Sequence, residues 1–249
     1  FMVTLFAGLA TGIGSLMALL SKRFNPKFLA LSLGFSAGVM IYVAFVEIFV
    51  KAKTSLVAEL GEKNGYIATV IGFFAGILFI AIIDKLVPSE ENPHEATKLD
   101  NIQNIETVQE LKNKKLFRMG MFTALVIAIH NFPEGLATFT AALHEPKLGV
   151  PIAIAIAIHN IPEGIAVAIP IYFATKSRKK AFTHSFLSGL AEPVGALVGY
   201  FILYFFFSEI VFGIIFASVA GIMVFISIDE LLPTAEEYGE HHLAIYGLI

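Results

Sequence analysis

Seven times along its 249 residues the chain runs for about twenty positions or more with scarcely a charge. The runs lie near 1–20, 28–50, 66–88, 118–143, 149–174, 182–206 and 210–233. A helix needs roughly 20 mostly apolar residues to cross the hydrocarbon core of a bilayer. In that medium every backbone N–H and C=O must be satisfied within the protein, which restricts spanning structures to packed helices or closed barrels. Runs this long point to helices. Composition agrees: 57% of residues are hydrophobic and 15% charged, where soluble domains carry about 25% charged residues. The predicted fold is therefore all-α, a single polytopic transmembrane helical bundle over residues 1–249.

Between the runs lie polar segments. Residues 89–117 contain no apolar run and are expected to form a flexible cytoplasmic loop. The end of the chain, Leu243 to Ile249, is too short to cross. It reads as the first turns of an eighth span, so the expected type is eight-span with the eighth incomplete. Phe1 rather than Met opens the chain, so it is read as starting slightly inside a longer one. No basic leader precedes the first run, and no signal peptide is expected. Cysteine is absent, which excludes a disulfide framework, a thiolate metal site and a cysteine nucleophile. The net charge of −3 says little about partners, and nothing suggests nucleic acid.

Basic residues orient the bundle. Loops one, three and five hold 13 of the 17 Lys and Arg residues, and the even-numbered loops hold 4. Cytoplasmic loops carry the excess. The odd loops are thus expected in the cytoplasm and the N-terminus outside, in the cell (plasma) membrane.

Two apolar runs are interrupted by the same six-residue pattern. His130-Asn131-Phe132-Pro133-Glu134-Gly135 and His159-Asn160-Ile161-Pro162-Glu163-Gly164 lie 29 residues apart on consecutive spans. Ionisable residues at membrane depth are expensive and usually mark a binding or transport path. Consecutive spans run in opposite directions, so the motif is presented twice in inverted orientation, the arrangement of transporters built from inverted repeats. A weaker echo links Ala37–Glu47 with Ala220–Glu230, where Ala, Gly, Met and Glu match in register. Chance similarity between Ala- and Ile-rich helices is the competing account of that second pair.

The motif has metal chemistry. His and Glu four apart lie on one helical face, which pairs His130 with Glu134 and His159 with Glu163. Two such faces opposed supply two imidazoles and two carboxylates. That N/O set suits Zn(II), Fe(II), Mn(II), Co(II) or Cd(II), and suits Cu(I) poorly without a thiolate. Asn131 and Asn160 stand about 100° round the helix and offer amide oxygens to an adjacent ion. Pro133 and Pro162 cannot donate to the carbonyls of Ile129 and Ile158, so both helices should kink there. A lone intramembrane His is more often a hydrogen-bonded core residue; two copies of a joint His/Asn/Glu face outweigh that account. The spacing is not His-Glu-x-x-His, so a zinc-protease base is not in position.

Two consecutive helices bearing His-Asn-x-Pro-Glu-Gly resemble the ZIP family of divalent metal transporters, and within it the ZupT-like prokaryotic branch, over the whole chain. The resemblance implies eight spans, an outside N-terminus, a long cytoplasmic loop after span three, and a binuclear metal centre midway through the membrane. It implies that His130, Glu134, His159 and Glu163 make one metal position. Asn131, Asn160 and Glu192 would join the shared glutamates at the other. It further implies a homodimer in the lipid bilayer that moves divalent metal ions inward. Zinc and iron are the expected cargo, with Mn(II), Co(II) and Cd(II) also compatible and no catalytic cofactor. The chain departs from many relatives in that its long loop offers only His94 and acidic residues, not a His-rich chelating tract. Two alternatives use the same ligands: a metal-dependent intramembrane hydrolase, and a metal-gated channel.

Several other polar residues have both a functional and a plain reading. His184, Ser188 and Glu192 fall at i, i+4 and i+8 and are expected to form one stripe toward the cytoplasm, an exit path; His184 is also well explained as a headgroup-level residue. Glu47 near the outer end of span two could gather cations. Asp229 and Glu230 near the inner end of span seven read equally as interfacial charges. Met40 and Met223 are packing residues before they are ligands. His241 and His242, beside Glu236 and Glu237, are either an inner-mouth metal sink or a solvated loop.

Overall fold

The computed structural model of the chain describes residues 1–20, 26–86, 105–144, 146–206, 208–238 and 241–249. Every regular element among them is helical. In chain order these are α1 (Met2–Leu20), α2 (Pro26–Tyr42), α3 (Phe49–Leu60), α4 (Glu62–Leu86), α5 (Ile105–His144) and α6 (Pro146–Thr175). Then come α7 (Arg178–Gly189), α8 (Ala191–Phe206), α9 (Glu209–Ile226), α10 (Leu232–Tyr238) and α11 (His241–Leu248). A π-helical segment, Val43–Ile48, fuses α2 to α3, and another, Ser227–Leu231, fuses α9 to α10.

Six stretches are long and apolar enough to cross a membrane: Met2–Leu20, Lys27–Leu60, Glu62–Lys85, Leu116–Leu143, Gly149–Thr175 and Glu209–Glu236. The chain is a multi-pass helical membrane protein, and its polarity is arranged for lipid. Ile71, Phe74, Leu78 and Ile82 on α4 point outward, while Thr4, Thr11 and Ser15 on α1 are fully buried. A soluble domain sorts these residue types the other way round.

Three expectations change. Span two does not stop near residue 50. Its helix continues to Leu60, because no Pro or Gly intervenes before Gly61, whose φ of 78° ends it. The charged residues of 51–60 suggested a loop, but they are helix formers that ride beyond the apolar zone. The expected loop at 89–117 lies outside the described residues over 89–104; from Ile105 the chain is already helical and runs unbroken into span four. That stretch holds Glu, Gln, Leu and Lys with neither Pro nor Gly, which favours helix without any apolar run. Span six is divided. Pro193 has no N–H for the carbonyl of Gly189, and α7 gives way to α8 at Leu190.

Glycine contacts reveal the symmetry. Gly135 of α5 stands against the carbonyl of Glu192 on α8, and Gly164 of α6 against the carbonyl of Thr11 on α1. Gly195 of α8 faces the carbonyl of Phe132, and Gly14 of α1 that of Ile161. Gly8 and Gly189 each face the other's carbonyl. Each contact maps onto its partner when α5 exchanges with α6 and α1 with α7–α8. An inverted two-fold axis therefore passes between Gly8 and Gly189. Small residues allow this because backbones in a bilayer gain most from close van der Waals approach.

The weaker echo also has a structural counterpart. The two π-helical segments fall at the same register of the matched sequences and contain Glu47 and Glu230. Gly38 of α2 meets the carbonyl of Leu248 on α11, and Gly221 of α9 meets that of Phe73 on α4. So α11 lies on α2 as α4 lies on α9, and the chain's last helix packs as part of the bundle.

Candidate metal centre

Both motifs sit mid-helix, on α5 and α6, which remain helical through Pro133 and Pro162. His130, Asn131, His159, Asn160, Glu163 and Glu192 are fully buried and Glu134 is 1% exposed. All seven residues expected at the site are thus sequestered from the bilayer and from bulk solvent.

The imidazoles and carboxylates pair across the helices rather than along them. His130 Nε2 lies 3.2 Å from Glu163 Oε2, and His159 Nε2 lies 3.4 Å from Glu134 Oε2. The second contact has hydrogen-bond geometry; the first is a close approach without it. The expected pairing within each helix is corrected here, and antiparallel packing supplies the reason. Four residues rise about 6 Å along a helix. With one helix inverted, the His of each motif comes level with the Glu of the other.

The asparagines are anchored by the helices that flank the pair. Asn131 Nδ2 donates to the Ser188 carbonyl at 3.3 Å, and Asn160 Nδ2 to the Ala7 carbonyl at 3.0 Å. These two bonds are related by the same two-fold as the glycine contacts. Asn160 Nδ2 also donates to Glu192 Oε1 in a short contact. Glu192 is thereby tied to the second motif, on a helix broken by the proline that follows it.

With the amide nitrogens turned to carbonyls, the oxygens are left bare. Asn131 Oδ1, Glu134 Oε1, Asn160 Oδ1, both oxygens of Glu163 and Glu192 Oε2 are buried and have no hydrogen-bond donor. Buried acceptors are ordinarily paired. A concentration of unpaired anionic and amide oxygens, with imidazole nitrogens beside them, has the chemistry of a cation site. As placed, no three His, Asp or Glu side chains among the described residues stand together as a formed ligand cage. The imidazoles and carboxylates are engaged with one another instead.

The two halves are unequally packed. Ser36 Oγ of α2 donates to the His159 carbonyl at 3.1 Å, and Ser185 Oγ donates to the Gly164 carbonyl at 3.0 Å. The two-fold counterparts of these serines are Val219 and Thr4. Val219 instead lines an apolar cavity of about 540 Å³ between α4, α5 and α9, which reaches Phe132 and Pro133. The Thr4 hydroxyl has no hydrogen-bond partner. Ser36, Ser185, Thr4 and the Ala7 carbonyl carried no signal in the sequence.

A family model described as ZIP Zinc transporter matches residues 84–248. The chain belongs to the ZIP family. Proteins named zinc transporter ZupT match it along its full length. That of Chlorobium chlorochromatii is 67% identical over 249 residues, covering 100% of this chain and 92% of the relative. Chlorobaculum parvum has one 68% identical over 250 residues, with the same coverage. The Clostridium perfringens protein is 60% identical, with 100% and 90% covered. The ZIP-family chain is a transmembrane transporter of divalent metal, not an enzyme, and the hydrolase alternative falls away.

The remaining candidates separate by burial. The His184–Ser188–Glu192 stripe is not on one helix, because the break at Leu190 intervenes. Ser188 is buried and donates to the Ser185 carbonyl at 2.7 Å; His184 Nδ1 lies 2.7 Å from the Lys180 carbonyl, toward the exposed end of α7. Glu47 is half-buried. Glu230 is buried while Asp229 is exposed, and both line a small cleft with Asp84. Met40 and Met223 are fully buried in the core. His241 is 64% exposed and paired with Glu236, and His242 is exposed; both are solvated, but they stand in the first turn of α11 and not in a loop.

Proposed function

We propose that the ZIP-family chain carries zinc from outside into the cytoplasm through a mid-membrane, binuclear centre. In this reading His130, Glu134, His159 and Glu163 hold one ion. Asn131, Asn160 and Glu192 hold its neighbour together with the two glutamates. The observation that carries it is the set of six buried oxygens without donors on Asn131, Glu134, Asn160, Glu163 and Glu192. A cation exchanges its hydration shell for these oxygens and for the imidazole nitrogens that now rest against carboxylates. The names of the relatives support zinc as cargo. The donor set itself accepts Fe(II), Mn(II), Co(II) and Cd(II) as well, since such sites follow geometry and availability more than identity.

The basic-residue bias supports an outside N-terminus in the plasma membrane. Residues 89–117 are assigned to the cytoplasmic side, and two copies of the chain form the working unit. The cavity beside Phe132 and Pro133, with no equivalent hydrogen bond closing it, gives α5 room to shift against α9. A saturable carrier is therefore preferred to a channel.

Proteoliposomes loaded with a zinc-sensitive dye provide the test. Zinc added outside should be taken up saturably, and Glu134→Ala with Glu163→Ala should abolish uptake. Uptake unchanged in that double variant would overturn the assignment of the centre. Flux that rises without saturation would replace the carrier by a channel.

A further inference from the structure

We propose that Thr11 is the uncharged counterpart of Glu192 in the metal centre, its hydroxyl oxygen lining the Asn131 side as the Glu192 carboxylate lines the Asn160 side. The proposal rests on the metal-centre reading above.

The two-fold equates the two residues. Gly164 packs on the Thr11 carbonyl as Gly135 packs on that of Glu192. Three residues before them stand the paired Gly8 and Gly189, and three after stand Gly14 and Gly195, which pack on Ile161 and Phe132. Since Glu192 reaches Asn160, the position assigned to Thr11 is the one beside Asn131. Thr11 packs on the opposing helix at Gly189, one residue from the Ser188 carbonyl that holds Asn131.

The hydroxyl itself is free to serve. Thr11 is fully buried and its Oγ1 has no hydrogen-bond partner. Helical threonines usually satisfy themselves on the carbonyl four residues back, as Thr69, Thr140 and Thr175 do here on Gly65, Leu136 and Ile171. The Thr4 and Thr138 hydroxyls are also without a partner, and of the three Thr11 is the one that the two-fold equates with Glu192.

The substitution of hydroxyl for carboxylate makes the halves electrostatically unequal. With the N-terminus outside, α1 runs inward from the level of Gly8 and α8 runs outward from the level of Gly189. Glu192 then lies on the outer side of the centre and Thr11 on the cytoplasmic side. An ion is captured by the half with two carboxylates, Glu134 and Glu192, and released from the half that keeps only Glu163. Thr11 thus sets how tightly the exit half holds its cargo.

The test compares T11V, T11S and T11D with wild type and with E163Q, in proteoliposomes taking up Zn(II), rates normalised to monodisperse protein. T11V keeps the shape and removes the oxygen; its KM for zinc should rise about 3- to 10-fold, the size of one lost polar contact, with unchanged thermal stability. T11S should return KM toward the wild-type value. T11D, which restores a carboxylate, should lower both KM and the maximal rate. A wild-type KM in T11V, or a change in T11V that tracks only its thermal stability, overturns the role of Thr11. If T11V is silent while E163Q abolishes uptake, only Thr11 is misassigned. If E163Q is also silent, the metal-centre reading fails with it.

Discussion

His130 Nε2 lies 3.2 Å from Glu163 Oε2, on a different helix, although Glu134 is one turn away on its own. The motif is written along one helix and read across two. Double-mutant cycles on the metal-free protein should therefore show coupling between His130 and Glu163, and between His159 and Glu134, of about 0.5–3 kcal/mol. The within-helix pair His130 and Glu134, which lacks a direct contact, should couple more weakly than either crossed pair. Thermal unfolding in detergent with a chelator present would measure this, and equal coupling in all three cycles would contradict the crossed arrangement.

Glu192 is expected to serve only one of two ions. Glu192→Gln preserves its size and can still meet Asn160, but it removes the charge. Bound zinc, measured by elemental analysis after equilibrium dialysis, should fall from two ions per chain to one, whereas Glu134→Gln and Glu163→Gln should each disturb both. A Glu192→Gln protein that retains two ions would remove this residue from the centre.

The glycines behind the motifs should tolerate no side chain. A Cβ on Gly135 or Gly164 would run into the backbone carbonyl of Glu192 or Thr11. Gly135→Ala and Gly164→Ala must therefore part the helices that hold the site, at a cost of about 1–3 kcal/mol. A melting temperature lowered by several degrees, with zinc uptake reduced about tenfold or more, is the expected pair of results. Gly61→Ala makes the contrast: that glycine has open space around it and only a positive φ. It should lose about 1–3 kcal/mol from backbone strain alone and transport zinc normally.

Acidification should weaken uptake. Imidazole and carboxylate ligands bind metal only when deprotonated, so protons and zinc compete for the same atoms. The apparent KM for zinc should rise as the outside pH falls from about 7.5 to about 5.5, across the range where histidine ordinarily titrates. Stopped-flow dye measurements at fixed internal pH would show it. A KM that stays flat across this range would argue that neither imidazole touches the ion.

Much of this could be read from residue order alone. Apolar runs of spanning length admit only packed helices, because a bilayer leaves the backbone no outside partner. Two copies of one motif on consecutive runs must be antiparallel, which makes His130, Asn131, Glu134, His159, Asn160 and Glu163 candidates for one site from residue order alone. Helix ends were harder. Span two overran its expected end by a full ten residues, since charged side chains end an apolar run without ending a helix.

Only the tertiary structure decided which atoms meet. Periodicity places His130 and Glu134 on one face but is blind to the height of a neighbouring helix, and height is what paired His130 with Glu163. The exchange of α1 with α7–α8 was equally hidden, because its signal is a few glycines spaced three apart in helices already rich in small residues. That symmetry turned the amides of Asn131 and Asn160 toward the carbonyls of Ser188 and Ala7 and left their oxygens bare. It also singled out Thr11, whose partner across the axis is a glutamate. Sequence specifies which donors a helix face carries; packing alone specifies which of them remain unspent for a metal ion.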